Sequence, residues 1–107
     1  MSKAYIISEV VIEDREQGEA YRELAAASIA AHGGRYVVRG AEAEVLEDRR
    51  ADAPRPSEER VVVVEFASVE AAKRWYGSEE YAEARAIAAG GALTRRLTLV
   101  EGYGVKS

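Results

Sequence analysis

The 107-residue chain has no cysteine, one histidine, one tryptophan, one phenylalanine and two prolines. Without cysteine there are no disulfides, no thiolate metal sites and no cysteine nucleophile, and a cytoplasmic setting is expected. The lone histidine, His32, excludes a multi-histidine metal centre, so no metal is expected. No apolar run approaches the ~20 residues needed to cross a bilayer, which argues against a membrane partner. Met1-Ser2-Lys3-Ala4 leads straight into a strand pattern with no signal-peptide core. A basic stripe is also missing. The formal net charge is -4, and Arg49-Arg50 is flanked by Glu47, Asp48 and Asp52, so nucleic acid is not an expected partner. No G-x-S-x-G elbow ties a serine to the histidine.

What is present is the composition of a globular protein, 48% hydrophobic and 32% charged, sized for one domain over residues 1–107 with its own core. Residues 4 to 12 read as a strand rich in β-branched and aromatic side chains. Asp14 with Gln17 has the spacing of a capping box. Tyr21, Leu24, Ala25, Ser28, Ile29 and His32 recur at helical intervals, and Gly33-Gly34 supplies a left-handed stop. Arg35 to Arg39 reads as a strand broken by Gly40, with Glu44–Glu47 either folding back or continuing along the edge. Residues 48 to 59 hold both prolines and read as a surface loop. A third strand runs from Arg60 to Phe66. Ser68 caps a second helix, which Gly77-Ser78 interrupts and Gly90-Gly91 ends; the last strand covers Thr94 to Tyr103. The order β-α-β-β-α-β predicts an α+β, ferredoxin-like fold with a four-stranded antiparallel sheet carrying helices on one face.

The strands are apolar on both faces, as in Val61-Val62-Val63-Val64 and Leu97-Thr98-Leu99-Val100, and three end near a glutamate: Glu9, Glu65 and Glu101. Helices can cover one face, and a second copy of the chain is the economical cover for the other. The face carrying Ile7, Val11, Val63, Leu97 and Leu99 therefore predicts a homodimer.

Strand parity places Glu9 with Tyr5, Ile7 and Val11, and Glu65 with Val61 and Val63. With the first and third strands taken as central, adjacent and parallel, the two carboxylates would sit close together. Arg35 and Arg39, on one face by parity, are their natural partners, Arg35 meeting the end that bears Glu65. This cluster reads either as a structural ion-pair network or as a site where arginine holds an anion and a glutamate acts as base. His32 reads as a helix-end cap or as a general acid or base; a haem-ligand role lacks any supporting pocket motif. Trp75, Tyr76, Tyr81 and Arg85 form a helix packing edge or line a cleft between helices and sheet, and Tyr21 and Tyr36 face the same alternatives.

Taken together, Ala4-Tyr5-Ile6-Ile7-Ser8-Glu9-Val10, Gly33-Gly34-Arg35-Tyr36-Val37-Val38-Arg39-Gly40, Glu65-Phe66, Ala71-Ala72-Lys73-Arg74-Trp75-Tyr76, Ser78-Glu79-Glu80-Tyr81, Ala84-Arg85 and Leu99-Val100-Glu101-Gly102 resemble the domain-of-unknown-function family thirteen-thirty. The loop around Ala51-Asp52-Ala53-Pro54 is longer than that pattern. The resemblance implies a dimeric α+β barrel, two ferredoxin-like protomers joined sheet to sheet, and no established activity. That superfamily includes cofactor-free monooxygenases, isomerases, decarboxylases, haem-degrading enzymes and stress-responsive proteins. Two functions follow as expectations. One is a cofactor-independent enzyme acting on a small carboxylate or enolisable carbonyl compound, with His32, Glu65 and Arg39 catalytic and Tyr36, Glu9, Tyr76, Tyr81 and Arg85 binding substrate. The other is a non-enzymatic ligand-binding or interaction module.

Overall fold

A computed structural model describes residues 2–50 and 56–104. The loop segment Ala51–Pro54, singled out above, lies outside the described residues. The strands are β1 (Ala4–Ile12), β2 (Arg35–Glu42), β3 (Arg60–Phe66) and β4 (Leu93–Glu101). The helices are α1 (Arg15–Ala31), α2 (Val69–Tyr76) and α3 (Glu79–Ile87), the last followed by a π-helical turn, Ala88–Ala92.

The helices begin where side chains can satisfy their first N–H groups. The Asp14 carboxylate accepts from the Gln17 amide at 3.0 Å, the Ser68 hydroxyl from Ala71 at 3.0 Å, and the Ser78 hydroxyl from Tyr81 at 3.2 Å. Each such cap is worth ~1 kcal/mol. His32 caps the C-terminus of α1, and Gly33 follows with φ 74°. Between α2 and α3 the chain turns at Gly77-Ser78, so α3 starts with a fresh cap and a new direction.

The sheet order is β2-β3-β1-β4, with every neighbouring pair antiparallel. The ferredoxin-like plan and the central placement of β1 and β3 are as expected. Closure is not. The sheet is open, with β2 and β4 as its two edges, so the expected α+β barrel is not formed. Four strands are too few to wrap round an interior, because barrel diameter scales with strand number.

Ala4, Ile6 and Val10 of β1, Val64 and Phe66 of β3, and Leu93 of β4 are buried under the helices. Ala4, Ile6, Val64 and Phe66 meet Ala25, Ile29, Trp75, Tyr81 and Ala84 there, while Val10 and Leu93 join Ala88 and Ala92. Trp75 is 2% exposed, and its indole N–H donates to Ser28 Oγ at 2.9 Å. Ser28 in turn donates to the Ala25 carbonyl at 2.8 Å. The buried polar groups thus have partners, as an interior requires.

Three further expectations are corrected by register. First, β1 and β3 are antiparallel, not parallel: Glu9 stands opposite Val61, and Glu65 opposite Tyr5. The two carboxylates share a face but lie four residues apart along β1, about 13 Å. Second, Leu97 and Leu99 pair with Ser8 and Ile6 and pack into the helix-covered core; Thr94, Arg96, Thr98 and Val100 occupy the open face beside Val11, Glu9, Ile7 and Tyr5. Third, Arg35 and Arg39 point to opposite faces. Arg35 is opposite Glu65, the register slips at Val37, and Arg39 is then opposite Val62. An extra residue in one strand reverses every side chain beyond it. A second slip falls at Gly40, whose φ of 77° suits a residue without Cβ.

Candidate functional site

On the helix-covered face, three polar side chains from distant parts of the chain converge. Tyr21 comes from α1, Tyr81 from the first turn of α3, and Arg95 from β4. α1 and α3 pack side by side, which sets the phenol oxygens 2.6 Å apart. Arg95 lies opposite Val10 in the register and so projects from the sheet toward the helices. Its Nη1 donates to Tyr21 Oη at 2.5 Å and to Tyr81 Oη at 2.9 Å. The guanidinium also lies 5.0 Å from the centre of the Tyr21 ring.

Burial divides the members. Tyr81 is 0% exposed, and its ring centre is 4.1 Å from that of Trp75. Tyr21 is only half-buried and packs against the cluster of Val10, Ala88, Ala92 and Leu93. One turn before it, Gln17 helps line a cleft of about 370 Å³ with Asp14, Ile87 and Gly91, a volume that suits a small ligand.

The electrostatics are one-sided. Burial pushes the Tyr21 phenol well above its ordinary pKa; Tyr81 adds to the rise and Arg95 opposes it. The phenol is therefore a proton donor at neutral pH. Burial acts to lower the Arg95 pKa, but the two phenols outweigh it and the guanidinium stays charged. No carboxylate pairs with Arg95 among the described residues. A half-buried cation is held by neutral oxygens alone.

Tyr36 and Arg39 flank the cluster. Tyr36 is on the covered face opposite Val64, and Arg39 lies 4.4 Å above its ring. Burial raises the Tyr36 pKa, with Arg39 lowering it, Tyr81 raising it and Arg22 lowering it. Of the residues singled out in the sequence, then, Tyr21, Tyr36, Arg39 and Tyr81 share this face.

The others lie elsewhere. Glu65 is on the open face, where Arg35 Nε (2.9 Å), Tyr5 Oη (3.1 Å) and Lys3 Nζ (3.4 Å) all donate to it. The Arg35 bond, above all, holds its carboxyl below the usual range; burial opposes this, and Tyr5 and Lys3 assist. Glu9 shares that face, opposite Arg96. His32 Nε2 is 2.9 Å from Glu80 Oε1, a bond that lowers the Glu80 pKa. That pair sits three turns beyond Tyr21 on α1, about 16 Å away. Tyr76 is exposed, with Arg85 5.0 Å from its ring centre. Among the described residues no group of three or more acidic, histidine or cysteine side chains could hold a metal ion, and no helix is long and apolar enough to cross a membrane.

Arg95 was absent from the sequence reading. Its signal was available: Leu93, Arg95, Leu97 and Leu99 alternate along one strand face, and an arginine interrupts an otherwise apolar row.

Comparison with known proteins places this geometry in context. The profile of the DUF1330 family, a domain of unknown function, matches residues 3–103. No curated protein matches. Among solved structures, RPA0582, a protein of unknown function from Rhodopseudomonas palustris, is 17% identical with a TM-score of 0.71, over 97% of this chain and 85% of that one. SnoaB, a cofactor-independent oxygenase from Streptomyces nogalater, is 12% identical with a TM-score of 0.67, over 98% and 97%. A dimeric ferredoxin-like protein of unknown function from Thermobifida fusca is 13% identical with a TM-score of 0.58, over 94% and 91%. At these identities the likeness is one of fold.

Proposed function

The chain belongs to the DUF1330 family, which carries no assigned activity, and from its own site we propose a small cytoplasmic, cofactor-independent enzyme acting on a small organic molecule with a carboxylate or an enolisable carbonyl. The observation that carries this reading is Arg95, a half-buried cation satisfied only by two phenols. A cation in that setting favours an anionic oxygen over water, because the local dielectric strengthens the pairing. Arg95 holds the ligand oxygen, Tyr21 and Tyr81 donate hydrogen bonds around it, and Tyr36 with Arg39 bounds the space toward β2. The fold shared with an oxygenase that needs no cofactor is consistent with such chemistry. His32 and Glu65 lie outside the cluster, so a proton-moving role for either would need a separate site.

The protein acts as a homodimer in this reading. On the open face Ile7, Val11, Val61 and Val63 are only partly covered, and a second copy would remove them from water at about 25 cal/mol per Å². A fold relative that is dimeric supports this. Sedimentation at micromolar concentration should give twice 11.7 kDa; a single species of 11.7 kDa refutes the dimer.

A purely binding role is the second reading. It is favoured by the complete burial of Tyr81 and by the bond between the two phenols, which partner one another within the chain.

The test is a thermal-shift panel of small carboxylates and 1,3-dicarbonyl compounds, followed by oxygen-uptake and product assays on those that bind. Saturation at a hundredfold over Kd stabilises the folded state by ~2.7 kcal/mol. Arg95→Met should abolish the shift. If no compound shifts the wild type, or Arg95→Met shifts equally, the site is wrong. Binding without turnover leaves the second reading.

A further inference from the structure

The hydrogen atoms of the cluster can be counted. Each phenol has one O–H to give and can accept two bonds. One O–H is spent between Tyr21 and Tyr81, and Arg95 Nη1 gives one N–H to each oxygen. One phenolic proton is left without an acceptor among the described residues. It belongs to whichever tyrosine accepts from the other. Tyr81 is wholly enclosed, whereas Tyr21 is half-buried and stands one helical turn from Gln17, which lines the cleft. Only Tyr21 can spend its proton on something that arrives from outside.

From this count we propose that Tyr21 is the ligand-facing donor, that Tyr81 is a positioning residue which donates to Tyr21 and aims it, and that the ligand oxygen is already ionised on arrival, as an acidic enolate, a phenolate or a carboxylate. The inference rests on the reading of this cluster as the binding site. Its second support is the make-up of the cluster among the described residues. The groups acting on Tyr21 and Arg95 are each other and Tyr81, and those acting on neighbouring Tyr36 are Arg39, Tyr81 and Arg22. All are cations or neutral donors. The cluster can stabilise an oxyanion but holds no group of its own to take a proton and create one, and the Asp14 carboxylate that lines the cleft is engaged by the Gln17 amide. The substrate class is therefore one acidic enough to ionise in water, rather than a simple ketone requiring deprotonation in place. The Tyr21 donor is also sharpened by its surroundings, since it accepts two bonds while offering one, and hydrogen bonds in a chain polarise one another.

The probe is 4-nitrophenol, whose absorbance reports its own ionisation, titrated with the full-length protein across pH. Donors aimed at the charged form favour it. The bound probe should ionise about one pH unit below the free probe, a preference of about tenfold for the phenolate. Tyr21→Phe should retain binding and lose most of that preference, Tyr81→Phe should lose part of it, and Arg95→Met should abolish binding. If binding requires Arg95 but the bound probe ionises at or above the pH of the free probe, or Tyr21→Phe leaves the shift intact, the donor assignment is overturned while the site stands. If the wild type does not bind, or Arg95→Met binds equally well, the site itself is overturned and this inference with it. The wild-type titration decides the matter even where a tyrosine variant fails to fold.

Discussion

The two faces of the sheet handle charge in opposite ways. On the open face the Glu65 carboxylate receives donors from Lys3, Tyr5 and Arg35, so its charge is matched within the chain. On the covered face the Arg95 cation has, among the described residues, two neutral phenols and no carboxylate. Sequence inspection leaves the first cluster open between a structural ion-pair network and a site where arginine holds an anion. A charge that is already satisfied has little left to offer a ligand, while one left without a counterion can gain from binding.

The comparison can be broken most forcefully through the core that holds the covered face together. Trp75→Ala removes an indole 2% exposed that packs on Phe66 and Tyr81, and urea unfolding should show a loss of ~3–5 kcal/mol. A loss under ~1 kcal/mol would mean that the helices do not depend on this contact.

Gly34→Ala comes next. A Cβ there would stand 2.7 Å from Phe66 Cε1 and 2.9 Å from Ile29 Cγ2. Both neighbours belong to the packed core, so ~1–3 kcal/mol should be lost to overpacking. An unchanged unfolding midpoint would show that the Phe66 ring can move aside.

Arg95→Met sharpens the contrast itself. Replacing an unpaired cation with an apolar side chain of similar length should alter stability by no more than ~1 kcal/mol, while removing anion binding. A loss comparable to that of Trp75→Ala would show that Arg95 is part of the frame.

The smallest effect is on the open face and depends on pH. The folded Glu65 carboxyl titrates below its unfolded value. Its contribution is therefore complete above the unfolded carboxylate range and is lost as pH falls through the lower, folded value. Denaturation midpoints of wild type and Glu65→Gln should differ at neutral pH and converge in acid. A gap that stays constant across that range would remove Glu65 from the ion network.

Much of the fold was legible because its signals are local. The Asp14, Ser68 and Ser78 caps, the Gly33 stop and the break at Gly77 all sit where side-chain chemistry placed them. The candidate site was half legible. Tyr36, Arg39 and Tyr81 were picked out by residue type, but Arg95 lies seventy-four positions from Tyr21, and nothing local joins them. The faces of Arg35 and Arg39 were unreadable for another reason. A single slipped residue at Val37 inverts the parity beyond it, and bulges leave no dependable mark in a short valine-rich strand.

Periodicity, caps and glycine stops were enough to settle the order of elements, and with it the ferredoxin-like plan, since each depends on neighbours within a few residues. Tertiary packing alone decided the open edges, the opposite ends taken by Glu9 and Glu65, and the meeting of Tyr21, Tyr81 and Arg95. Those outcomes depend on register between strands and on how α1 and α3 lie against each other, which no stretch of sequence encodes by itself.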